Sequence, residues 1–113
     1  MKTVSFTPTD LTLEPYPVAS GRLTPGTEIN AAPLWEREDG SEVGAVWEMT
    51  PGVLEEVQGN EAFVIVSGRA RVEFPDGRVL DLGPGDGAFI APNDPCRFVT
   101  LETVRKVVVF RLT

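Results

Sequence analysis

Ala62-Phe63-Val64-Ile65-Val66-Ser67-Gly68-Arg69-Ala70-Arg71-Val72-Glu73-Phe74 holds two kinds of strand in succession. The first five residues are rich in β-branched and aromatic side chains and apolar on both faces, the pattern of a strand covered by a layer on each side. After Ser67-Gly68 the pattern changes. Arg69, Arg71 and Glu73 alternate with Ala70, Val72 and Phe74, the period-two signature of a strand with one buried face. Pro75-Asp76-Gly77 then supplies turn chemistry.

Working outward, residues 78–82 read as a short strand stopped by Gly83-Pro84-Gly85-Asp86, where a tight turn is required. Further strands are predicted at 88–91, 97–101 and 106–112, with a break at Pro92-Asn93-Asp94-Pro95. Upstream, residues 43–49 form another, bounded by Asp39-Gly40 and Pro51-Gly52. These amount to about seven strands and no helical stretch. Pro8, Pro15, Pro17, Pro25 and Pro33 keep much of residues 7–36 out of central strand interiors. The expectation is one all-β domain, with an irregular N-terminal arm carrying edge strands over 1–34 and a barrel over 35–113.

Composition narrows the function classes. The chain has 113 residues, enough for one core, and is 42% hydrophobic, with no run approaching the roughly 20 apolar residues of a membrane span. Seventeen acidic against ten basic residues give a formal charge of −7, which repels phosphate backbones, so neither nucleic acid nor membrane is an expected partner. Met1-Lys2-Thr3-Val4-Ser5-Phe6 does not read as a secretory signal, and a cytoplasmic location is expected. Cys96 is the only cysteine, so no intrachain disulfide can form.

From Trp35 to Phe110 the sequence resembles the cupin superfamily (RmlC-like), whose first motif places two histidines ahead of a glutamate and a glycine. Glu61 and Gly68 keep the spacing of the last two. Val46-Trp47-Glu48, Thr50-Pro51-Gly52, residues 64–69, Gly83-Pro84-Gly85-Asp86 and residues 101–107 are similar to the small cupins typified by ureidoglycine aminohydrolases and the ethanolamine-utilisation cupin Q. The resemblance implies a double-stranded β-helix, the cupin jelly-roll barrel. It also implies histidine-held metal, and here the sequence departs, because it contains no histidine. The histidine positions fall on Glu55 and Val57, or on Leu54 and Glu56, with the third near Arg97. A carboxylate beside a guanidinium, which has no lone pair to offer, cannot replace imidazole nitrogens. No metal and no cofactor is therefore expected.

If the strand at Glu61 keeps the family's inward register, Glu61, Phe63 and Ile65 line the interior, facing Arg97, Val99 and Leu101. A Glu61–Arg97 pair among apolar walls suits a small polar or anionic ligand, although such a pair can equally serve only itself. Trp47 is read as core or as an aromatic wall of the site. Glu48 and Glu55, with Glu56, are read either as solvated surface groups or as acid, base or magnesium ligands. Cys96, next to Arg97, invites the idea of a lowered thiol pKa, but with no histidine to activate it a structural position is the better reading.

Three functions compete on this evidence. The first is a metal-free module binding a small metabolite through Glu61, Arg97, Trp47, Phe63, Glu48 and Glu55. The second is a metal-independent or magnesium-dependent enzyme of the ethanolamine-utilisation type. The third is a structural module forming a homodimer through edge strands.

Overall fold

A computed structural model describes residues 1–112, and it contains eight strands and no helix among them: β1 (Glu14–Pro15), β2 (Ile29–Glu36), β3 (Glu42–Met49), β4 (Gly52–Val57), β5 (Glu61–Glu73), β6 (Val79–Leu82), β7 (Gly87–Ile90) and β8 (Cys96–Arg111). All pairings are antiparallel, and the sheet order is β1-β2-β3-β8-β5-β6, with β4 also on β8 and β7 also on β5. The all-β barrel expectation holds.

Two long strands carry this arrangement. The segments expected as separate strands at 62–66 and 69–74 are one strand, β5, and those at 97–101 and 106–112 are one strand, β8. β5 and β8 pair along most of their length, and each divides its other edge between two partners. The first half of β5 takes β7 and the second half β6, while β8 takes β4 and then β3. The β5–β8 register slips between Ile65 and Ala70, where the ladder must bend to close a barrel. Gly68 sits in that bend at φ 83°, and a Cβ there would overlap the carbonyl of Thr103 on β8.

The buried face is the even-numbered phase of β8 (Cys96, Phe98, Thr100, Val104, Lys106, Val108) against the odd-numbered phase of the first half of β5 (Glu61, Phe63, Ile65). Trp47, Met49, Val72 and Ile90 complete the core. The outward phase of β5 is not covered by a second layer, contrary to its apolar character. Val64 is 50% exposed, and Phe89 beside it on β7 is 61% exposed.

The arm is more ordered than its prolines suggest. β2 accommodates Pro33 because the ladder with β3 shifts register between Pro33 and Trp35, a bulge where no donor is required. Leu23 bridges Leu54, and the amide of Glu55 donates to the carbonyl of Arg22, so the arm runs along the free edge of β4. On the outer face, Arg105 binds Glu48 Oε2 at 2.9 Å and donates to the carbonyls of Pro8 and Leu11. Val46, on the same phase of β3 as Glu48, is fully buried there.

Gly68→Ala should cost about 1–3 kcal/mol from backbone strain, and more from the overlap with Thr103. Gly77→Ala, at φ 95° with open space around it, should lose the strain energy alone. Urea unfolding of the two variants checks the order, and equal midpoints would contradict it.

Candidate functional site

The strand phases bring an unusual set of side chains to one end of the barrel. Lys106 of β8 lies opposite Trp47 on β3 and Ile65 on β5. Being on the inward phase, its side chain enters the barrel and is only 4% exposed. Its Nζ stands 4.1 Å from the centroid of the Trp47 ring, 4.3 Å from that of Phe63 and 4.5 Å from that of Phe98. The rings meet edge to face, Trp47 and Phe63 each against Phe98, so their faces are free to turn toward the ammonium. Glu61, the first residue of β5, approaches with Oε1 at 4.0 Å from Nζ. That is an ionic contact beyond hydrogen-bond length. Burial pushes the Lys106 amine below the usual lysine pKa, and the Glu61 charge opposes that shift.

Above this pair opens a cavity of about 260 Å³, walled by Trp47, Phe98, Ile29, Leu54 and Val57 and, from the arm, by Tyr16, Val18 and Arg22. Its charged lining is Arg22, Lys106 and Arg111 against Glu61 alone. In a chain of net charge −7 this end of the barrel is locally cationic. Arg22 is held by the carbonyls of Glu55 and Glu56, neither of which neutralises it. Arg111 lies 3.7 Å from Glu42, a carboxylate that also serves Arg37.

Three of the residues expected from sequence converge here: Glu61, Trp47 and Phe63. Three do not. Arg97 is on the outward phase of β8 and does not face Glu61. Its guanidinium bonds Glu73 at 2.7 Å and lies 3.5 Å from Glu55, both on the outer surface. Val99 and Leu101 turn out with it, because a strand read one residue out of phase presents its opposite face. Glu48 is across the sheet with Arg105. Glu55 is taken by Arg97, and Glu56 is exposed at φ 57°. The expected acidic cluster is thus dispersed, and Glu61 is the carboxylate in the cavity.

Lys106 went unrecognised, yet it left a signal. It shares parity with Val104 and Val108 in an otherwise apolar stretch, and it is one of only two lysines, the other being Lys2, beside eight arginines. Cys96 is also corrected. Burial first, and the Glu61 charge second, push its thiol up to about 11, where a lowered value had been considered from its neighbour Arg97.

These features define a cupin-type barrel whose mouth carries an ion pair boxed by aromatic rings. A family model described as the EutQ-like cupin domain matches residues 36–107, more than half of the chain, and the chain belongs to that family. No curated protein matches it. Among solved structures, the polyketide cyclase RemF from Streptomyces resistomycificus is 26% identical, with a TM-score of 0.71, covering 100% of this chain and 80% of its own. A protein of unknown function from Pseudomonas syringae pv. tomato is 22% identical with a TM-score of 0.78, and the alignment covers 88% of this chain but 44% of that one. A putative ethanolamine utilization protein Q from Salmonella typhimurium LT2 is 21% identical with a TM-score of 0.64, covering 74% of this chain and 69% of that one.

A transition metal does not fit the residues at the cupin mouth. The inward groups are one carboxylate and an ammonium that repels cations, and no cluster of three histidine, cysteine, aspartate or glutamate side chains suited to a metal occurs among the described residues.

Lys106→Met removes the counter-charge of a buried carboxylate and should cost about 3–5 kcal/mol. Combining it with Glu61→Leu should recover most of that loss, and urea denaturation of the single and double variants checks the coupling. With a thiol pKa of about 11, Cys96 stays protonated at neutral pH. Iodoacetamide should leave it unmodified in the folded protein at pH 7 and alkylate it readily in urea, because the thiolate is the nucleophile.

Proposed function

We propose that this chain is a binding module for a small anionic metabolite, held in the barrel mouth without help from a metal. The observation that carries this reading is the lining of the cavity: three cations against one carboxylate, on aromatic and aliphatic walls, in an otherwise acidic protein. A few placed polar groups on apolar walls are the usual composition of a ligand site, and 260 Å³ lies just below the roughly 300 Å³ at which drug-sized pockets begin. The occupant is therefore small. Glu61, Lys106, Trp47 and Phe98 form the floor of the site, with Arg22 and Arg111 at its rim.

A thermal-shift screen of small carboxylates and phosphates tests this. A ligand at 100 times its Kd adds about 2.7 kcal/mol, enough to raise the Tm of a domain this size by on the order of 10 °C. Arg22→Ala should diminish the shift, and Arg97→Ala, outside the barrel, should leave it intact. Hits that respond to Arg97 and ignore Arg22 would move the site elsewhere.

The outer face of β5 favours a second property, a homodimer. Ala62 and Val64 lie in register with Val109 and Val107 of β8 and beside Phe89 of β7, giving an exposed apolar strip. Sedimentation should then show a dimer that Val64→Lys with Phe89→Lys converts to monomer.

A further inference from the structure

Lys106 is more than an anion anchor requires. Where the chain needs a permanent cation it uses arginine, at eight of its ten basic positions, and arginine's fork suits carboxylates better than an ammonium does. At the one basic position inside the barrel it has lysine, the cation that can give up its proton and become a nucleophile. Resting on the anion-binding reading above, we propose that Lys106 forms an imine with the carbonyl carbon of a small 2-oxo acid, Glu61 carrying the protons and Arg22 and Arg111 facing the carboxylate.

The geometry meets each demand of that chemistry. Lys106 is among the residues that line the cavity, so the proposal puts the bound carbonyl against its side chain. Glu61 Oε1, at 4.0 Å, is the nearby base, and one proton passed from the ammonium to this carboxylate leaves a neutral amine and a carboxylic acid. The amine lone pair attacks the carbonyl carbon and forms the C–N bond, while the C=O π pair moves to oxygen. Glu61 protonates that oxygen and accepts a proton from nitrogen, giving a carbinolamine. A second protonation by Glu61 releases the hydroxyl as water, and the nitrogen lone pair closes the C=N bond. The step is redox-neutral: amine and ketone become imine and water. The Trp47, Phe63 and Phe98 rings within 4.5 Å of Nζ favour the iminium cation through their faces and keep bulk water from it. Burial disfavours the ammonium, which eases the passage of its proton to Glu61.

The test treats the full chain at pH 7 with pyruvate and sodium cyanoborohydride, followed by peptide mapping by mass spectrometry, with lactate as the carbonyl-free control. An ordinary lysine is deprotonated at pH 7 to less than about one part in 10³, so the reduced adduct on Lys106 should exceed that on Lys2 by at least about tenfold. Met1's amine is read in a separate fragment. Glu61→Gln should slow adduct formation on Lys106 by about 10²-fold. Lys106→Arg should lose the adduct at position 106 while the background adducts on Met1 and Lys2 stay at their wild-type level. An adduct confined to Met1 and Lys2 overturns the proposal. If both acids stabilise the wild-type protein and no Lys106 adduct forms, the imine fails and the anion site stands. If neither acid stabilises it and no adduct forms, both fail together.

Discussion

An ammonium on the buried phase of the longest strand is the constraint around which this end of the barrel is built. Desolvating one ion costs several kcal/mol, comparable to what two or three fully buried aliphatic side chains contribute at about 1.5–3 kcal/mol each. Lys106 recovers that cost from two sources. Glu61 supplies the opposite charge, and three ring faces supply cation–π attraction, each on the order of 1–2 kcal/mol in a desolvated site. Neither source would exist without the others in place. Trp47 comes from β3, Phe63 and Glu61 from β5 and Phe98 from the first half of β8. The charge is tolerated only where three strands converge, and so the site and the core at this end are one structure.

The same convergence explains what was and was not legible in the sequence. Turns and strands were readable because their signals are local: Gly83-Pro84-Gly85-Asp86 folds into a turn in which Asp86 accepts from the Gly83 amide at 2.8 Å. The inward set Glu61, Phe63 and Ile65 was readable only through the register that the family resemblance implies for the strand at Glu61. The phase of β8 was not. Residues 97–101 offer apolar side chains at 98, 99 and 101, so local alternation chooses no face. What fixes the phase is continuity with Val104, Lys106 and Val108 eight residues on, a relation visible only once the two segments are one strand. That single-residue difference moved Arg97 from the cavity to the surface and hid Lys106 as Glu61's partner.

The arm shows a second limit of local signals. Its prolines forbid central strands, correctly for most of its length, but they say nothing of where an irregular segment travels. β2 runs from Ile29 to Glu36, so the strand crosses the point at which an arm was expected to give way to a barrel. Arg105 holds residues 8 and 11 against the outer face, and the Arg22–Glu55 and Leu23–Leu54 contacts hold the following turn against β4.

Because of those contacts the arm is part of the site. Tyr16, Val18 and Arg22 form one wall of the cavity, and Arg22 is the rim cation whose charge its own partners leave unneutralised. A sequence without histidine therefore does not leave the cupin mouth chemically blank. A carboxylate and a lysine stand inside, rings enclose them, and a segment lying before the matched family region at 36–107 brings a further positive charge. Of the charged groups at the mouth, Glu61 and Lys106 lie within the matched region, while Arg22 and Arg111 lie outside it. The charge of the mouth therefore depends on the arm and on the end of β8 as much as on the barrel they join.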